Sequence, residues 1–151
     1  MDASKILSLA IELELKTSEC YEKLSLFAAD EPLKEELQKL AKEEIVHANL
    51  LKTGRNMGAL ESEVFGRSYI PQEEIEDDLA RIGRLIDSIT AGTITLPDAL
   101  REIHDMEIGF EQVHLQTLLE IRDPAFQKLF RALSTQDGEH RRRLETIMQS
   151  L

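Results

Sequence analysis

Two short motifs could carry chemistry in this chain. Glu44-x-x-His47 and Asp137-x-x-His140 each set an acid and an imidazole three residues apart. On a helix such a pair lies on one face and can reach a common point. Both pairs fill a gap in an apolar stripe. Leu33, Leu37, Leu40, Ala41, Ala48 and Leu51 surround the first; Phe126, Phe130, Leu133, Leu144, Ile147 and Leu151 surround the second. Glu14 lies in the same way among Leu7, Ala10, Thr17, Tyr21 and Leu24, and Glu107 among Leu100, Ile103, Phe110 and Leu118. Stripes with steps of three and four face a core, so four carboxylates and two imidazoles are expected inside it. An uncompensated buried charge costs several kcal/mol, and no lysine or arginine interrupts the stripes at that level. Either the acids hold protons or bound cations neutralise them. Two divalent ions would balance Glu14, Glu44, Glu107 and Asp137, with one neutral nitrogen each from His47 and His140. That is the donor set of a dinuclear carboxylate site.

The elements that must position these groups are helices. A first helix is expected from an Asp2 or Ser4 cap to about Ala29. Asp30-Glu31-Pro32 turns into a second, which runs from about Pro32 to Thr53 and stops around Gly54 and Gly58. Residues 58–71, with Gly66 and Pro71, have the composition of a loop. Residues 74–90 have helical periodicity through Ile75, Leu79, Ile82, Ile86 and Ile89, and Gly92 closes that helix. A third main helix starts near Pro97, and Asp123-Pro124 turns into a fourth.

The two halves correspond. An offset of 93 positions places Glu14 on Glu107, Asp30 on Asp123, Leu37 on Phe130, Leu40 on Leu133, Glu44 on Asp137, His47 on His140 and Leu51 on Leu144. Two equivalent helical hairpins joined by a long connection predict an all-α four-helix bundle with pseudo-twofold symmetry and an extra helix in the crossover. Glu14 and Glu44 are 16 and 14 residues from Asp30, so an antiparallel hairpin sets them at one height. The same holds for Glu107 and Asp137 about Asp123.

Bulk properties agree with a single domain over 1–151. There are 29 acidic and 18 basic residues, a formal charge of −11. A field of that sign repels phosphate backbones and anionic lipid, so neither nucleic acid nor a membrane is expected as a partner. Cys20 stands alone and offers neither a disulfide nor a CxxC pair. It is expected to be a small buried hydrophobe. The opening residues carry charges within their apolar run, unlike a signal peptide, and a cytoplasmic setting is expected.

The segments AIELELKTSECYEKL, KEEIVHANLL, DALREIHDMEIGFEQVHL and STQDGEHRRRLETI resemble the ferritin-like superfamily and, within it, the rubrerythrin family. The resemblance spans all four main helices. It implies a di-iron site with ligands Glu14, Glu44, His47 and Glu107, and Asp137 and His140 on the last helix. It also implies redox activity toward hydrogen peroxide or dioxygen, and a homodimer. Manganese or zinc would suit the same donors. This chain departs from the pattern at Asp137, where the family has glutamate; the shorter arm withdraws the carboxylate by about 1.5 Å and weighs against a bridging role. His104 stands where the family often has a further glutamate. The four-cysteine rubredoxin domain of full-length rubrerythrins has no counterpart here, so an external electron-donor protein is implied. Bacterioferritin, with a similar ligand set, makes ferroxidase or iron handling the alternative; a vestigial or zinc-filled bundle is the third.

Three further features have simpler readings. Tyr21 is expected as a core aromatic whose hydroxyl meets a polar group. His104 and Glu111, flanking Glu107, are expected as extra ligands, supporting partners or stripe-edge residues, with His114 further along the same stripe. Arg141-Arg142-Arg143 is expected as solvated charge near a helix C-terminus.

Overall fold

The computed structural model describes residues 3–56, 72–120 and 123–151, with side chains over 5–56, 72–112 and 123–151. These residues form five helices and no strand: α1 Ala3–Ser25, α2 Glu31–Asn56, α3 Gln72–Ala91, α4 Leu96–Glu120 and α5 Pro124–Gln149. The chain is all-α, as expected. The Asp2 cap, the loop over 58–71 and the His114 side chain lie outside the described residues. Ser4 falls inside α1 rather than capping it.

Local chemistry explains most helix ends. Asp30 and Asp123, equivalent under the offset, both cap. The Asp30 Oδ1 accepts from Leu33 N at 2.8 Å, and the Asp123 Oδ1 accepts from Ala125 N at 2.9 Å and Phe126 N at 3.2 Å. Each satisfies backbone donors that the first turn leaves free, and the proline that follows gives up no needed N–H. At the end of α3, Gly92 adopts φ +70°. Thr93 N then donates to Ser88 O and Gly92 N to Ile89 O. That pair of bonds is a Schellman stop.

Two boundaries differ from expectation. α1 ends at Ser25 rather than Ala29, because Leu26, Phe27 and Ala28 N donate to carbonyls three residues back and tighten the chain into turns. α2 runs past Thr53, through Gly54, to Asn56, between the two glycines expected to stop it. Gly54 is buried, and a Cβ there would stand 2.8 Å from Leu129 Cδ2 and 3.2 Å from Phe126 Cε1. It is a contact point with α5, not a terminator. Gly54→Ala should therefore destabilise the fold. Overpacking costs about 1–3 kcal/mol, against about 1 kcal/mol of helix propensity regained. A lower urea midpoint with unchanged m-value checks this.

α1 pairs with α2 and α4 with α5, as two hairpins. α2 also meets α5, and α3 packs along α1 and touches α4. One core runs through all five helices, with Leu37, Leu40, Leu51, Phe126, Phe130 and Leu133 at its centre. Ser18 Oγ donates across the first hairpin to Ala41 O at 2.7 Å, beside the small, buried Ala41. The crossover helix contributes Ile75, Ile82, Leu85, Ile86 and Ile89 to the core. No helix among the described residues is long and apolar enough to cross a membrane.

Candidate metal centre

All six side chains expected inside are inside. Glu14 is 5% exposed, Glu44 1%, His47 0%, Glu107 0%, Asp137 1% and His140 2%. They come from α1, α2, α4 and α5, and each sits within its helix's apolar face, flanked by core residues.

Three of them converge. Glu44, His47 and His140 each offer a ligand atom, and these atoms lie within 4.8 Å of one another. His140 Nδ1 is 2.9 Å from Glu44 Oε1. His47 Nδ1 stands 3.3 Å from Glu44 Oε2 and 3.6 Å from Glu14 Oε2, close enough for charge attraction but without hydrogen-bond alignment. The two imidazoles stack with centroids 4.9 Å apart and planes 19° from parallel, as the offset between the halves suggests. Glu14 thus joins the group through His47. Glu107 lies beyond the tight trio, tied to α1 by Tyr21, whose hydroxyl donates to Glu107 Oε1 at 2.8 Å. Tyr21 is fully buried and does what was expected of it. Asp137 is buried one turn from His140 on α5 and close enough to raise the Glu107 pKa.

Electrostatics show how the metal-free cluster is neutralised. Burial, and then the Glu44 charge, raise Glu14 well above the usual carboxylate range. Burial together with Glu44, Asp137 and Glu14 does the same to Glu107. Burial would raise Glu44 too, but its neighbours Glu14, His140 and His47 overcome it and hold Glu44 well below that range. His47 is the converse: burial opposes its charge, yet Glu14 and Glu44 push it up to about 12. Protons on Glu14, Glu107 and His47 therefore stand where cations could. Tyr21 is likewise raised, by burial and then by Glu107.

Three buried polar atoms have no hydrogen-bond partner among the described residues: both ring nitrogens of His47, and Glu107 Oε2. Unsatisfied buried acceptors cost about 1–3 kcal/mol each. A cation bound among them would satisfy nitrogen and oxygen alike, so the donor set fits a metal.

Sequence reasoning missed one participant, Glu43, whose Oε2 is 2.7 Å from His140 Nε2. It sits beside Glu44 at the edge of the stripe, and only the approach of α5 brings it to the histidine. The arginine run also differs from expectation. Arg141 donates to Glu111 at 2.8 Å and Glu145 at 3.1 Å, and Arg143 to Glu43 at 2.6 Å and Glu36 at 3.2 Å. Apart from Arg141–Glu145, which lies within α5, these are interhelix ion pairs rather than free solvated charge. His104 is paired with Glu145 at 3.1 Å; with Glu111 on Arg141, neither is among the three convergent groups. Cys20 is buried and free, its thiol pushed up to about 12 by burial and then by the nearby glutamates. Compared with protein-family models, curated proteins and solved structures, the chain has no match.

Proposed function

We propose that the chain is a ferritin-like di-iron carboxylate protein of the rubrerythrin kind, reducing hydrogen peroxide or dioxygen with electrons from a separate donor. On this reading α1, α2, α4 and α5 form the bundle and α3 is its crossover helix. The observation that carries it is the convergence of Glu44, His47 and His140 within 4.8 Å, with Glu14, Glu107 and Asp137 also buried and three orphaned polar atoms among the group. Bound ferrous iron would supply one electron from each ion to an O–O bond. The chain's own part is to hold that charge. Glu14, Glu44, Glu107 and Asp137 give four negative charges once Glu14 and Glu107 lose their protons, and His47 and His140 give neutral nitrogens. Tyr21 fixes Glu107 through Oε1, which leaves Oε2 as that carboxylate's open oxygen. The surrounding core of Leu37, Leu40, Phe130 and Leu133 keeps bulk water from the group.

Elemental analysis followed by anaerobic stopped-flow mixing tests this. Two iron equivalents and rapid oxidation by peroxide are expected. Faster oxidation by dioxygen under excess ferrous iron, in a large assembly, would replace the reading with iron handling. Zinc at full occupancy without iron uptake would remove redox function altogether.

A further inference from the structure

His140 is held from outside the cluster as well as from within. Its Nδ1 stands 2.9 Å from Glu44 Oε1 and its Nε2 2.7 Å from Glu43 Oε2. Glu43 is braced in turn. Arg143 Nη1 donates to the same Oε2 at 2.6 Å, and Arg143 Nη2 donates to Glu36 Oε2 at 3.2 Å. A line of four polar side chains thus runs from His140 out to the half-exposed edge between α2 and α5. His47, its equivalent in the other half, has neither ring nitrogen hydrogen-bonded among the described residues. The offset of 93 positions shows why. It maps Glu36, Glu43 and Arg143 onto Leu129, Gln136 and Leu50. Leu50 and Leu129 pack against the core instead. The halves repeat the donors but not their support.

We infer that Glu43, braced by Arg143, is the positioning residue for His140, and that the two histidines are therefore inequivalent toward a metal. A carboxylate on Nε2 takes that nitrogen's N–H and fixes the ring, so Nδ1, which faces Glu44, is the nitrogen offered to a cation. His140 meets an ion already oriented. His47 must orient on binding, so the half-site containing His140 fills first. This inference rests on the metal-binding reading above. A bare α2–α5 clamp would use the same ion pairs, but it would not set which nitrogen the histidine offers.

Side-chain 15N NMR of the histidines decides between them, first on metal-free protein and then during zinc titration, zinc being diamagnetic. In the metal-free wild type, His140 should show an Nε2 proton protected from exchange. Zinc should shift His140 Nδ1 at the first equivalent and His47 only later. Glu43→Ala should lose the Nε2 protection and weaken the first zinc site by about 10–100-fold, the usual cost of removing such a partner. Glu43→Gln, whose amide oxygen can still accept from Nε2, should keep the protection and lose less. Glu43 is 42% exposed, so neither variant should fail to fold, and melting curves check that. Unchanged protection and affinity in Glu43→Ala would overturn the positioning role, as would zinc bound through Nε2. If wild type takes no zinc, the metal-binding reading fails, and the Nε2 proton's protection in wild type against Glu43→Ala still decides whether Glu43 positions the ring.

Discussion

Glu44→Ala and His47→Ala should each lower metal affinity by more than the roughly 100-fold that bounds the loss of a supporting partner, while Lys42→Ala leaves it unchanged. Lys42 is exposed on the same helix, so it controls for any general effect of altering α2. Glu44 is the most connected of the acids, with one oxygen 2.9 Å from His140 and the other 3.3 Å from His47. Removing it takes a donor from between the two imidazoles. Alanine variants also break a buried charged group, and stranding one partner costs about 3–5 kcal/mol. Glu44→Gln separates the two effects. It keeps the volume and a hydrogen-bonding end but removes the charge, so it should fold and still bind metal poorly. Equilibrium dialysis against ferrous iron or zinc, beside a circular-dichroism melt, reads both quantities. Metal content equal across Glu44→Gln, His47→Ala and wild type would place any metal elsewhere.

The inward acids were legible in the sequence because a charged residue inside an apolar stripe has no other place to go. Every group found that way is buried, from Glu14 to His140. The caps were legible for a similar reason, since Asp30 and Asp123 each precede a proline at a turn. Legibility failed where a second helix decides the outcome. Gly54 looks like a stop by local propensity, yet it sits within a continuing helix, where an added Cβ would force Leu129 or Phe126 of α5 to shift. Glu43 looks like an ordinary edge charge until α5 brings His140 and Arg143 to it. Arg141 and Arg143 look solvated until their acidic partners on α4 and α2 are known. Period and composition specify what faces inward; they do not specify which residue of another helix it meets.

Protons and metal should give opposite pH dependences of stability. In the metal-free protein Glu14 and Glu107 are raised and His47 is pushed up to about 12. A raised group binds more protons folded than unfolded, so its contribution is complete below the unfolded value and is lost as pH climbs toward the folded one. For His47 that window runs from its ordinary 6.5 to about 12; for the two glutamates it opens at 4.5 and extends well above. Glu44 is lowered, and its contribution is already complete above the ordinary carboxylate value. Between pH 7 and pH 10 Glu44 therefore does not offset the loss, and each proton carries about 1.4 kcal/mol per pH unit. The metal-free protein should therefore weaken steadily across that range. A cation must displace these same protons, so its affinity rises with pH, and saturating zinc should stabilise the protein more at pH 8 than at pH 6. Glu107→Gln keeps an acceptor for Tyr21 while discarding one of the raised protons, so it should flatten the metal-free slope. Chemical denaturation at several pH values, with and without zinc, measures both trends. Parallel curves would mean that metal and protons do not compete for these carboxylates, and that the buried acids serve some other end.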